Sequence, residues 1–297
     1  MPVRLGISPI GWSNDDLPEL GGDIPLETCL AEAREAGFAG IELGHKFPRD
    51  AAALRPLLAR HGLALVSGWY GGHLLERPLA AEIDAIETHL ALLAEMGCAV
   101  MVFAEISGSI AGDRSCPLSA QPRLGPGDWR DFGAALTRLA EHCAGSGVRI
   151  AYHHHMGTVV ESEAEIDRLM AATGDSVGLL LDTGHLAFAG ADPAAIAARY
   201  RQRINHVHCK DVRLDVLDRA RTADLSFLDA VLDGVFTVPG DGFIDFAGIL
   251  QALAPADYRG WLVVEAEQDP AKAPPLAYAR KGFAHLKTAM ADAGLRG

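Results

Sequence analysis

Cysteine pairs at metal-binding or redox spacing are absent from this 297-residue sequence. Its five cysteines, Cys29, Cys98, Cys116, Cys143 and Cys209, are odd in number and never form a CxxC. That argues against a disulfide framework and against a structural zinc knuckle. No run of about 18 apolar residues occurs, so no transmembrane helix and no membrane partner are expected. The opening MPVRLGISPI has no charged leader followed by a long apolar stretch, and the cytoplasm is the expected location. Basic charge is scarce: 26 Lys and Arg stand against 39 Asp and Glu, a formal net charge of −13. So acidic a chain repels nucleic acid, and no basic cluster offsets the repulsion. GxSxG is missing, which leaves a serine triad without support. GxGxxG is missing too: after Ile7 the chain reads SPIGWSNDDLPELGG, unlike the phosphate loop of a doubly wound dinucleotide fold.

What is present is a strict alternation of short apolar runs with longer amphipathic ones. Strands are expected at 3–8, 39–43, 63–69, 98–104, 148–153, 176–182, 204–209 and 261–266. Helices are expected at 26–36, 50–61, 79–96, 128–145, 161–173, 192–202, 223–234 and 275–293. The strands are almost continuously apolar, as strands buried on both faces are. Eight strand–helix pairs in sequence predict an α/β chain closed into a single (β/α)8 TIM barrel spanning 1–297, a fold that takes roughly 250 residues. Two segments are long for connections. Residues 106–127, rich in Gly, Pro and Ser, follow the fourth strand and form a candidate lid over the catalytic face; residues 235–247 precede the last strand.

Polar residues gather where the late strands finish: Tyr152-His153-His154-His155, Asp182-Thr183-Gly184-His185, His206-Val207-His208-Cys209-Lys210-Asp211, and Val264-Glu265-Ala266-Glu267. A barrel strand aims its last residues at the open mouth. Four successive strand ends carrying imidazoles and carboxylates predict a metal site there. The mixed donors suit Mn²⁺ or Co²⁺ best, with Zn²⁺ and Fe²⁺ compatible. Side chains alternate along a strand, so His153 shares a face with His155, and His206 with His208. By the same alternation Cys209 points outward and packs. Trp12, Trp69 and Tyr70 fall at early strand ends, where they suit an apolar wall for a ring, whereas Trp129 opens a helix and is expected to pack.

The chain resembles the xylose isomerase-like TIM-barrel superfamily along nearly its whole length, and within it the inosose dehydratase family. The segments that carry the likeness are GISPIGWSNDDLPELGGD (6–23), SGWYGGHL (67–74), YHHHMGTVVE (152–161), LLLDTGHLAFAGADP (180–193), RINHVHCKDVR (203–213), VPGDGFIDF (238–246) and VVEAEQDP (263–270). The resemblance implies metal ligands Asp182, His208 and Glu265. Where many relatives carry a glutamate after the fifth strand, this chain offers His153, with His155 or a residue elsewhere as alternatives. It also gives His185 the likeness of a substrate-binding or secondary ligand position, and it puts Lys210 and Glu267 near the substrate. Trp12 and His73 are further candidates for binding substrate.

The implied reaction is loss of water from 2-keto-myo-inositol to give a trihydroxycyclohexane-dione. The chemistry is coherent: a ketone acidifies the neighbouring C–H, a divalent cation acting as Lewis acid stabilises the enediolate, a base removes the proton, and an acid helps the hydroxyl leave. Glu42, Glu105, His155, Lys210 and Glu267 are the candidates for base and acid. A keto-sugar isomerase or epimerase, of the hydroxypyruvate isomerase or ketose 3-epimerase kind, would use the same enediolate and is the alternative. A multi-metal phosphodiesterase of the endonuclease IV kind would need further histidines on early strands and a basic groove. The expected partner is a small polyol or keto-sugar, and a homo-oligomer is compatible with the sequence.

Overall fold

The computed structural model describes residues 3–295. Eight parallel strands close a barrel: β1 Arg4–Ile7, β2 Gly40–Leu43, β3 Ala64–Gly72, β4 Val100–Glu105, β5 Arg149–His153, β6 Gly178–Asp182, β7 Ile204–Cys209 and β8 Trp261–Val264. Each pairs with its sequence neighbour, and β8 closes on β1 through Arg4↔Trp261 to Ile7↔Val264. This is the expected β/α barrel. Mostly small and branched side chains fill its interior: Val100, Val102, Ala151 and Leu180 form one cluster, and Val66 and Val263 pack with the larger Trp261 in another. The larger apolar core lies outside the barrel, between strands and helices.

The outer helices are α1 Leu26–Ala36, α2 Ala51–His61, α3 Leu79–Met96, α4 Asp128–Gly145, α5 Glu163–Ala172, α7 Pro193–Tyr200, α10 Phe246–Leu253 and α11 Pro275–Asp292. Local chemistry sets their ends. Asp50 accepts from the Ala53 N–H at 2.8 Å to start α2, and Ser162 with Glu165 forms a capping box on α5. Gly37, at φ 112°, turns the chain out of α1 and back towards β2.

Three helices depart from expectation. The short α6 (Thr183–Ala189) begins directly after Asp182, and α8 (Leu214–Thr222) precedes α9 (Phe227–Leu232), where one helix over 223–234 was expected. The outer-ring helix between β7 and β8 is α10, which packs on α7 and α11 and lies partly within the segment read as a loop. Its sequence, FAGILQAL, buries Phe246, Ile249, Leu250 and Leu253 at helical spacing, but the helix is short for that period to be recognised. A two-stranded antiparallel ribbon, Asp211–Val212 with Phe236–Thr237, bounds the α8–α9 excursion at the mouth.

Helix α4 approaches α5 closely at Gly133, where an added Cβ would lie 2.3 Å from the Ala172 carbonyl oxygen. Gly133→Ala is therefore expected to lower stability by about 1–3 kcal/mol, seen as a lower Tm in thermal denaturation. Gly145→Ala, in open space at the end of the same helix, is the control and should not lower it.

Candidate metal centre and active site

Register brings the first functional side chains together. Asp182 at the end of β6 pairs with His208 on β7, so both point into the barrel from adjacent strands. His153 ends β5, and Glu265 follows the last residue of β8. One donor atom from each of His153, Asp182, His208 and Glu265 lies within 4.8 Å of those of the other three. His153 Nε2 is 3.5 Å from Asp182 Oδ2. His208 Nδ1 is 3.6 Å from Asp182 Oδ2 and 3.2 Å from Glu265 Oε2. All four are buried.

This set fits a divalent cation. Asp182 Oδ2 and His208 Nδ1 are buried without hydrogen-bond partners, although buried polar atoms are almost always satisfied. His153 donates Nδ1–H to the His154 carbonyl at 2.7 Å, which leaves the Nε2 lone pair turned towards Asp182. Charge points the same way: the buried carboxylates Asp182, Glu265 and Glu42 outnumber the single ammonium of Lys210. Burial works against ionising Asp182, but Lys210 and His185 hold it well below the usual carboxylate range. Burial also pulls the His208 imidazole down, yet Glu265 and Glu42 more than reverse this and raise it well above its usual value. The centre thus attracts positive charge.

A second cluster lies beside the first. Lys210 is fully buried and donates to Glu267 Oε1 at 2.6 Å and to Glu265 Oε1 at 2.7 Å. Its Nζ lies 3.2 Å from His185 Nε2 and 4.7 Å from the centre of the Phe236 ring. His155, His185 and Glu267 also meet at ligand spacing, but the Lys210 ammonium already supplies the cation there. Burial, then Lys210 and His155, hold His185 well below its usual value. Burial pushes His155 down to about 3, reinforced by His153 and Lys210. Glu267 is pushed up to about 7, by burial first and against the pull of Lys210. Its Oε2 is buried without a partner.

A cavity of about 390 Å³ opens above both clusters, a size suited to a small molecule. His153, His155, His208, Glu42, Glu265 and Glu267 line it. Trp69, 42% exposed, stands edge-on to His153 and His155 with ring centroids 5.3 and 5.7 Å away. Ile106, Ser109, Ala111 and Gly112, from the long segment after β4, form its rim. That segment is tied across the mouth by Ile110 N–H to the Gly157 carbonyl at 2.9 Å, Leu118 N–H to the Leu225 carbonyl at 3.0 Å, and Arg114 to Asp229.

Other expected residues sit elsewhere. Trp12 does not face the cavity: the Pro9–Gly11 turn aims Pro9 and Ile10 into it, while the Trp12 indole turns towards α1 and donates to Glu32 at 2.6 Å. His73 lies outside the mouth, 3.2 Å from Glu76. Tyr70, opposite in phase to Trp69, donates to Glu82 on the outer face. Glu105 accepts from the Leu74 and Ser107 N–H groups, tying two strand ends together rather than facing substrate. Glu42 reaches the cavity wall, but its Oε1 is engaged by Ser67, His206 and His208. Trp129 and Cys209 are buried away from it. Asp15, Asp16 and Thr158 also line the cavity; the two aspartates lie in the loop after β1, which a barrel places on its catalytic face.

A family model described as "Xylose isomerase-like TIM barrel" matches residues 30–289. The chain is 56% identical over its full length to the rhizopine catabolism protein MocC of Rhizobium meliloti, covering 91% of that protein. It is 46% identical to inosose dehydratase of Geobacillus thermodenitrificans, covering 96% of each chain, and 44% identical to that of Lacticaseibacillus casei, covering 98% of each. Among solved structures, an L-ribulose 3-epimerase aligns with a TM-score of 0.71 at 21% identity, over 98% of this chain and 96% of the other, a likeness of fold. The fold and the site thus define a xylose isomerase-like TIM barrel with a polar, cation-seeking mouth. The chain belongs to that family and, within it, to the inosose dehydratase group.

Proposed function

We propose that this chain is a carbon–oxygen lyase that removes water from inosose, 2-keto-myo-inositol, in inositol catabolism, using a divalent cation held by His153, Asp182, His208 and Glu265. The observation that carries the reading is the full-length identity to several inosose dehydratases, joined to a mouth that sets a buried acid–base group beside a cation site. When bound, Mn²⁺ or Co²⁺ would supply Lewis acidity towards a ketone and its neighbouring hydroxyl. The remaining work falls to side chains. Lys210 grips Glu267 by Oε1, which leaves Oε2 as the atom that takes the α-proton or returns one to the departing hydroxyl. Near 7, Glu267 is matched to either task. Neutral His155 meets the polyol hydroxyls, and Trp69 offers the ring an apolar edge. The five free cysteines, four of them buried, suit a reducing cytoplasm.

The test is direct. Protein stripped of metal and reloaded with Mn²⁺ or Co²⁺ should convert 2-keto-myo-inositol to a dione, read by its absorbance, and the stripped protein should not. Turnover of ketoses such as D-allulose without any dione from inosose would replace the lyase with an isomerase.

A further inference from the structure

Three side chains beneath the cation site converge on one atom. Glu42 Oε1 accepts from Ser67 Oγ at 2.6 Å, from His206 Nε2 at 2.9 Å and from His208 Nε2 at 3.2 Å. Glu42, Ser67, His206 and His208 are all buried. Of the two His208 nitrogens, Nε2 thus faces Glu42, and Nδ1 faces Asp182 and Glu265. A neutral imidazole carries one proton. A hydrogen bond to Glu42 keeps that proton on Nε2 and turns the Nδ1 lone pair towards the cation site. With three donors on Oε1, the carboxylate is also fixed in orientation.

We infer that Glu42 is a positioning residue for the divalent cation: held by Ser67 and His206, it fixes the tautomer and ring orientation of His208 and does not take a proton from substrate. The inference rests on the cation reading above. It concerns residues on β2, β3 and the lower part of β7, one layer below the mouth, and it reassigns Glu42 from base to support.

Glu42→Gln keeps the volume but replaces the anionic acceptor with a neutral one, and Ser67→Ala removes one of the donors that fix it. Co²⁺ affinity would be measured against a competing chelator, alongside the visible spectrum of the Co²⁺-loaded protein and kcat and KM for inosose. Folding would be checked by circular dichroism. Glu42→Gln is expected to weaken Co²⁺ binding by about 10–100-fold and shift the visible bands, with kcat at saturating Co²⁺ falling less than affinity does. Ser67→Ala is expected to weaken binding about 5-fold, the effect of one hydrogen bond, and it decides the matter if Glu42→Gln does not fold. Unchanged affinity and spectrum in Glu42→Gln, with kcat collapsing under saturating Co²⁺, would overturn the inference and make Glu42 the base. Parent protein that binds no Co²⁺, or binds it equally after Asp182→Ala, would overturn the cation site itself and the support role with it.

Discussion

Asp182→Asn should emerge from purification folded but stripped of its divalent cation, with affinity for added Mn²⁺ or Co²⁺ reduced by more than the roughly 100-fold that marks the upper end of outer-shell effects. The two oxygens of Asp182 do separate jobs. Oδ1 accepts the His185 N–H at 2.8 Å and caps α6; Oδ2 stands unpartnered in the tetrad. Asparagine can keep the cap through its carbonyl oxygen, but it brings no charge and places an NH₂ group where a cation needs a lone pair. Asp182→Ala should lose both functions, so beyond the same loss of metal it should be less stable than Asp182→Asn by about 0.5–2 kcal/mol, the usual value of an N-cap. Metal content by elemental analysis and Tm separate the two effects. Retention of full metal by Asp182→Asn would remove Asp182 from the ligand set.

The double use of Asp182 also explains which parts of this molecule are legible in its sequence. All eight barrel strands stand out as apolar runs because both of their faces are buried, and observed boundaries lie within a few residues of the expected ones. The strand ends that carry His153, Asp182, His208 and Glu265 are legible because chain direction in a barrel fixes which end of a strand meets the mouth; the choice among their residues rests on the family resemblance. Helix α6 is hard to recognise for a related reason: TGHLAFA is buried almost throughout, so it carries no polar stripe. Helix α10 buries one face at helical spacing, but over too few residues for the period to stand out. Side-chain partners over long sequence separations are not legible either. Nothing local to Glu42 reveals that Ser67, His206 and His208 converge on it, and nothing local to Glu105 reveals that it ties down Leu74 and Ser107. Trp12 misleads because a three-residue turn after β1 rotates it out of the phase that strand alternation would give it.

Lys210→Met should produce the largest loss of stability. The ammonium is fully buried, with Glu265, Glu267 and Asp182 at 2.7, 2.6 and 3.7 Å. Methionine fills similar space but leaves these carboxylates without their cation, a change that typically costs about 3–5 kcal/mol for a buried pair. Glu267→Gln, introduced into Lys210→Met, removes a carboxyl that Lys210 no longer helps to ionise, and should restore stability mainly at pH above about 7 while leaving dehydration abolished. Glu267→Gln alone should fold and bind metal yet fail to turn over, because the free Oε2 is replaced by a group that neither takes nor returns a proton. The pH dependence has a defined sign. Burial opposes ionisation of Glu265, but His208 and Lys210 hold it down at about 2, so its stabilising contribution is present above the ordinary value of 4.5 and is lost as pH falls towards 2. Burial raises Glu267 from 4.5 to about 7, so its contribution is present at low pH and is lost as pH rises between those values. In Lys210→Met the carboxylates lose their counter-charge, and stability of the metal-free protein should therefore fall more steeply with rising pH than in the parent. Chemical denaturation at several pH values measures this. A Lys210→Met protein as stable as the parent, with the same pH slope, would show that Lys210 does not balance these charges.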